Sequence, residues 1–197
     1  MINIIKKIKK KGLFDFIYHG GNYCIHTSLS TINIIILRLR GYNIDLSVHL
    51  RGRHYIFQDT RDSINIDKDC EIGLGNIIRA GLGGKIILES GVALYDYTIV
   101  DIQKKLVIGK DTLISPFCYI TDYDHIFQDN TLPIQKQGYR AIPITIGRNV
   151  WVGAHCIILK GVTIGNNTVL GAGSVVTHDI PSNCLAVGVP AKVIRKI

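Results

Sequence analysis

Residues 146–181 read IGRNVW, VGAHCI, ILKGVT, IGNNTV, LGAGSV, VTHDIP, six successive units of six residues. The first place of each unit is aliphatic (Ile146, Val152, Ile158, Ile164, Leu170, Val176) and the second is Gly in four of the six. The fifth is small or branched throughout: Val150, Cys156, Val162, Thr168, Ser174, Ile180. A period of six matches neither the 3.6-residue helix nor simple strand alternation, and so many Gly residues would break a long helix. The pattern is that of a solenoid in which each unit supplies one short strand and one tight corner. One aliphatic side chain per unit points to the axis and stacks on its counterpart a coil away, at about 4.8 Å. Gly147, Gly153, Gly165, Asn166, Asn167 and Gly171 are expected at corners because Gly and Asn tolerate positive φ.

Working upstream, the same phase reads through Ile66, Ile72 and Ile78, then Ile87, Ala93 and Ile99, then Ile108, Ile114 and Ile120, with Cys70 and Cys118 in the fifth place. Between these triplets the spacing lengthens from six to nine, which implies a three-residue insertion at a corner. Together with 146–158 and 164–176 this makes five coils of three faces. The fold class is therefore mainly β: a parallel β-helix of hexapeptide repeats over 62–197, preceded by a non-repeat cap over 1–61. The stretch 121–143 leaves the phase and is expected as a loop ejected from the solenoid; loops longer than about a dozen residues in a compact domain are usually functional.

The chain has 197 residues, enough for one core of ordinary size. Its 35 Ile, 13 Val and 20 Gly are a β-rich bias, and within 62–197 the Ile and Gly recur at the aliphatic and corner places of the repeat. The net charge of +8 is concentrated: residues 1–60 carry nine Lys/Arg against three Asp, and the repeats are nearly neutral. Much of the excess is the run Lys6, Lys7, Lys9, Lys10 and Lys11, interleaved with Ile4, Ile5 and Ile8. Two readings of that run stand: a helix packing its Ile face on its own domain, or a peripheral contact with an anionic membrane surface or acidic glycan. Nucleic acid is not expected as a partner, because the coils lack interleaved cations and aromatics. No apolar run reaches the eighteen residues of a membrane span, and the N-terminus lacks the pattern of a cleavable signal. Cys24, Cys70, Cys118, Cys156 and Cys184 contain no CxxC pair and are odd in number, which fits small buried residues in a reducing cytoplasm.

A β-helix alone names no function. The stretch from Pro143 to the end, PITIGRNVWVGAHCIILKGVTIGNNTVLGAGSVVTHDIPSNCLAVGVPAKVIRKI, resembles the C-terminal half of the galactoside, maltose and nodulation-type O-acetyltransferases and of the sugar O-acetyltransferases of surface polysaccharide synthesis. The resemblance covers about residues 62–197. It implies a left-handed, triangular prism, acetyl-CoA as co-substrate with no metal, and a homotrimer with active sites between neighbouring prisms.

In SPFCYITDYDHIF, the residue that matches the family's catalytic His is His125. The chemistry calls for such a group. A sugar hydroxyl is a poor nucleophile until a base takes its proton, and a neutral imidazole can do that near pH 7 and return the proton to the CoA thiolate. The resemblance also implies that Trp151 lines the cleft and that Ala154 and Ala172 lie along the pantetheine arm. By the same match Lys192 and Arg195, in GVPAKVIRKI, meet the 3′-phosphate, and Thr177 with His178 stands where the family has Thr-Lys. In VALYDYTIVD, Asp96 matches an acceptor-facing Asn and is a candidate to hold sugar hydroxyls or orient His125. Asp124, with Asp122, flanks the base; these acids could contact the acceptor side and raise its basicity, or simply cap the loop.

The leading expectation is an acetyl-CoA-dependent O-acetyltransferase acting on a sugar or glycan. The alternatives are an N-acetyltransferase on an amino sugar, or a serine or antibiotic acetyltransferase, on the same scaffold. A zinc triad of the carbonic anhydrase type is disfavoured, since His125, His155 and His178 fall on different corners by phase.

Overall fold

A computed structural model describes residues 29–81 and 83–197 as three parallel sheets wound into a three-faced prism. Face one stacks Asn43–Ile44, Ile64–Ile66, Lys85–Leu88, Lys105–Ile108, Ile144–Ile146 and Thr163–Ile164. Face two stacks His49–Leu50, Glu71–Ile72, Ala93–Leu94, Leu113–Ile114, Trp151–Val152, Val169–Leu170 and Cys184–Val187, on which Lys192–Lys196 folds back antiparallel. Face three stacks Tyr55–Gln58, Ile77–Ala80, Ile99–Ile102, Tyr119–Thr121, Ile157–Ile158 and Val175–Val176. Each turn of chain visits the three faces in order, so equivalent residues of successive coils are in-register partners, as in Ile66↔Leu88↔Ile108↔Ile146↔Ile164. That column is buried from end to end and fills one side of the core. Fifth-place residues close the corners from inside: Thr112 Oγ1 donates to Gly147 O (2.8 Å) and accepts from Val150 N (3.1 Å).

Three features depart from the sequence reading. The prism begins one coil earlier than residue 62: residues 43–58 form a complete coil, paired to the next on all three faces, inside the stretch expected as a non-repeat cap. Its inward residues Ile44 and Leu50 are buried, and Ile56 packs against the core. Ile44, Leu50 and Ile56 do keep the six-residue spacing. Asp45, Arg51 and Phe57 take the second place normally held by Gly, which hides the coil.

The third coil is displaced by one residue. Leu88, Leu94 and Val100 are buried, whereas Ile87 and Ala93 are only half-buried and Ile99 is 37% exposed. A one-residue slip exchanges the inner and outer sides of a strand, and two apolar residues in succession left the phase ambiguous.

Glycine is used differently from expectation. Of the six corner residues expected at positive φ, only Asn167 has it. The left-handed residues occupy the fourth place instead: Asp69, Gly75, Gly91, Tyr97, Asp111, Phe117, Asn149, His155, Gly161, Asn167 and Gly173. Second-place Gly answers to crowding between coils; a Cβ on Gly153 would lie 2.6 Å from the backbone N of Ala172.

Residues 29–39 are helical and cover the first coil. Ile34 is fully buried in the core, and Ser30 Oγ accepts from Leu50 N (2.9 Å), satisfying an amide at the otherwise open sheet edge. No helix among the described residues is long and apolar enough to cross a membrane. Cys70, Cys118, Cys156 and Cys184 are buried and unbridged, and burial pushes the Cys70 thiol up to about 11. The basic run Lys6–Lys11 and Cys24 lie outside the described residues.

Candidate functional site

The chain leaves the prism after Thr121, at the edge between faces three and one, and re-enters at Ile144. Asp122 roots the excursion. It is fully buried, and its carboxylate accepts from the backbone N–H of Gln103 (2.8 Å), Lys104 (2.8 Å) and Lys105 (2.7 Å), the turn at the same edge one coil earlier. Beyond this anchor the loop folds as an antiparallel hairpin, Tyr123–His125 against Tyr139–Ala141, with His125 opposite Tyr139. The hairpin is tied at both ends, by Ile142 N to Asp122 O (2.8 Å) and Ile126 N to Gly138 O (3.1 Å). In its tip, Gln137 donates to Asp129 O (2.8 Å) and Leu132 O (2.9 Å), and the donors of Thr131 hold the Asp129 carboxyl below the usual carboxylate range.

Side chains alternate along the outgoing strand. Tyr123 and His125 stand on one side and Asp124 on the other, where it meets Lys160 Nζ at 2.5 Å. Asp124 is thus engaged with a cation of the following coil, and Asp122 faces the prism; the structure brings neither carboxylate into a hydrogen bond with His125. His125 is exposed, and among the described residues its ring has no hydrogen-bond partner. It is an unengaged imidazole held on a braced hairpin.

The other expected site residues are distributed around the prism. Trp151 projects from face two, 54% exposed, and its indole N–H donates to Ser115 Oγ (3.1 Å) one coil earlier. Ala154 and Ala172 occupy successive coils at the edge between faces two and three, where Gly173 N donates to Ala154 O (2.8 Å). Asp96 sits on that same edge. Its Oδ1 accepts from Leu74 N (2.8 Å) and Arg51 Nη2 (3.2 Å), and Arg51 also reaches Glu71 (2.8 Å), so Asp96 belongs to an ion-pair cluster and does not contact His125. Thr177 and His178 lie at the edge that carries the loop, with Thr177 Oγ1 and His178 Nδ1 2.8 Å apart. Lys192 and Arg195 are exposed on the final antiparallel strand, opposite Val187 and Leu185.

One chain therefore sets His125, Thr177 and His178 on one edge and Trp151, Ala154, Ala172 and Asp96 on face two or its far edge. Face three lies between the two groups. Its outward row is largely apolar: Tyr55, Ile77, Ile99, Tyr119, Ile157 and Val175 occupy successive coils in register.

Sequence reasoning also missed an aromatic column at the edge between faces two and three. Tyr97 stacks on Phe117 (5.4 Å between centroids) and Phe117 on His155 (5.0 Å), both pairs within 7° of parallel. All three residues hold positive φ, a strained conformation for bulky side chains. Their recurrence at the fourth place of coils three to five was the available signal.

Comparison with known proteins agrees with this architecture. The family profile "Bacterial transferase hexapeptide (six repeats)" matches residues 143–178. The chain is 34% identical over 141 residues to a putative lipopolysaccharide biosynthesis O-acetyl transferase of Escherichia coli, an alignment that covers 68% of this chain and 72% of that one. It is 46% identical over 106 residues to the galactoside O-acetyltransferase of Escherichia coli, covering 53% of this chain and 50% of the relative, so it spans about half the length of that protein. Among solved structures, AntD, an N-acyltransferase from Bacillus cereus in complex with dTDP-4-amino-4,6-dideoxyglucose and coenzyme A, superposes with a TM-score of 0.69 at 21% identity, over 81% of this chain and 87% of that one. At that identity the likeness is one of fold.

Proposed function

The chain belongs to the hexapeptide-repeat acetyltransferase family, and on that premise we propose that it transfers the acetyl group of acetyl-CoA to a hydroxyl of a sugar used in surface polysaccharide synthesis. The observation that carries this reading is the unengaged His125 imidazole on a hairpin anchored at its root by Asp122. Neutral His125 takes the proton of the acceptor hydroxyl as its oxygen attacks the thioester carbonyl. The tetrahedral intermediate collapses with loss of the CoA thiolate, which recovers the proton from the imidazolium. Acetyl-CoA contributes the activated acyl carbon. For this chain's part, Trp151, Ala154 and Ala172 offer an apolar wall to the pantetheine arm, and Lys192 and Arg195 offer cations to the 3′-phosphate.

In this reading the site is shared between copies. His125 and the Trp151–Ala154–Ala172 group stand on opposite sides of face three, so a cleft containing both requires the face-two side of a second prism to approach the loop edge of the first. A homotrimer packed through the apolar row of face three would close such a ring. The four buried, unbridged thiols support a reducing compartment, as expected of the cytoplasm.

The test is CoA release from acetyl-CoA by the purified protein, with free and nucleotide-linked sugars offered as hydroxyl or amino acceptors, for the wild type and His125→Ala. Hydroxyl-dependent release that His125→Ala abolishes, with its fold intact by circular dichroism, is the expected result. Turnover confined to amino acceptors would convert the assignment to N-acetylation, and release indifferent to His125 would remove the base.

A further inference from the structure

Arg79, Asp101 and Tyr123 follow one another at intervals of 22 residues, and the structure joins them. Arg79 and Asp101 are in-register neighbours on face three, and Thr121 is the next rung above Asp101. Asp101 Oδ2 accepts from Arg79 Nη1 (3.2 Å) and from the Tyr123 phenol (3.1 Å). Asp101 is only 8% exposed, and its second oxygen, Oδ1, is buried with no partner among the described residues. A buried carboxylate with a bare oxygen is poor value as a stabilising device, because its desolvation is incompletely offset. Sites that accept such a cost are commonly functional.

Geometry shows what the carboxylate holds. Tyr123 is on the same side of the hairpin strand as His125, two residues away. Tyr139 faces His125 across the hairpin and packs edge-on against Tyr123, with centroids 5.5 Å apart. Burial and the Asp101 charge push the Tyr123 phenol up to about 12, so it remains a hydrogen donor wherever an imidazole could act as base. Asp124–Lys160 braces the opposite side of the strand and Asp122 its root.

We propose that Tyr123 and Asp101 are positioning residues for His125: the phenol–carboxylate bond ties the hairpin face bearing the imidazole to the wall of face three. The inference rests on His125 being the base, and it extends that reading to two residues that act through the placement of His125.

Tyr123→Phe removes the bond while keeping the ring and its packing on Tyr139; Asp101→Ala removes it from the other side; Asp101→Asn keeps an oxygen for the phenol. With the proposed reaction as assay, Tyr123→Phe and Asp101→Ala are expected to lower kcat roughly 10- to 100-fold with KM for acetyl-CoA within about twofold of wild type, while Asp101→Asn recovers most of the loss. Hydrogen exchange at the amides of Ile126 and Ile142, which tie the hairpin, should quicken in the first two variants and return towards wild type in the third. Unchanged kcat in Tyr123→Phe overturns the proposal, as does faster exchange without a loss of kcat. If the wild type transfers no acetyl group to any acceptor, the base assignment fails on its own, and the Tyr123–Asp101 tether is then judged by exchange, where wild-type rates in Tyr123→Phe refute it.

Discussion

Replacing Asp122 by Ala tests how the loop is built. The carboxylate accepts three backbone N–H groups at 2.7–2.8 Å from a fully buried position. Hydrogen bonds to a charged group contribute about 1.5–3 kcal/mol each, so three independent bonds would total several kcal/mol. They share one carboxylate and are not additive. Lys104 and Lys105 are exposed, so water can take over part of the donation once the side chain is gone. A loss of about 3–4 kcal/mol is the reasonable result. Asp122→Asn should cost less, about 2 kcal/mol, because one oxygen survives while the NH2 group confronts a donor.

The first assay is urea denaturation followed by fluorescence of Trp151, the sole tryptophan. The midpoint for Asp122→Ala should fall by about 1–2 M if the slope lies near 2 kcal/mol/M. Because coils of a solenoid can open in part, exchange at the amides of Gln103, Lys104 and Lys105 supplies the local reading. A cost of 3 kcal/mol corresponds to roughly a hundredfold faster exchange there. If the midpoint moves by less than about 0.5 M and these amides keep wild-type protection, the carboxylate is not the anchor described.

Further outcomes are expected elsewhere in the molecule. His125→Ala should lower kcat at least about 100-fold while leaving the melting temperature within a degree or two, since the side chain is exposed and makes no hydrogen bond among the described residues. Co-assembled His125→Ala and Trp151→Ala chains, each inactive alone, should recover about a quarter of wild-type activity if each site draws those residues from two copies; no recovery would place both in one chain's site. Gly153→Ala should destabilise by several kcal/mol, because its Cβ meets backbone at 2.6 Å, while Gly173→Ala, at φ +74° but with open space around it, should cost only about 1–2 kcal/mol in thermal unfolding. Tyr123 titrates near 12 in the fold against 10 in its absence, so the unfolded chain loses its proton first. Its contribution to stability is complete below pH 10 and is lost as the pH rises towards 12. Absorbance of phenolate together with alkaline unfolding should show this limb in wild type and its loss in Tyr123→Phe.

The repeat was legible from sequence because each coil is specified locally: one aliphatic side chain inward, one small residue closing the corner, six residues on. The same locality explains the failures. In the third coil, adjacent apolar pairs such as Ile87 and Leu88 leave the inner side undetermined until neighbouring coils fix the register. In the first coil, Asp45, Arg51 and Phe57 replace Gly where crowding between coils would otherwise ask for it. The assignment of Gly to positive φ failed for a related reason. The demand on Gly153 comes from the chain one coil away, at Ala172, and nothing local reveals it.

For the candidate site, the sequence alone determined that a loop leaves the prism between residues 121 and 143 and that His125 is its candidate base. The tertiary structure decided what surrounds that base. Asp124, expected beside His125, is taken up by Lys160, Asp96 by Arg51, and Asp122 by three amides, while Asp101, unremarked in the sequence, holds Tyr123. Burial fixes the residue type at each inward place of the repeat, whereas solvent leaves most outward places free to vary. The partners of outward side chains are chosen by which coil lies above and below, and stacking alone brings Arg79, Asp101 and Tyr123 together across intervals of 22 residues.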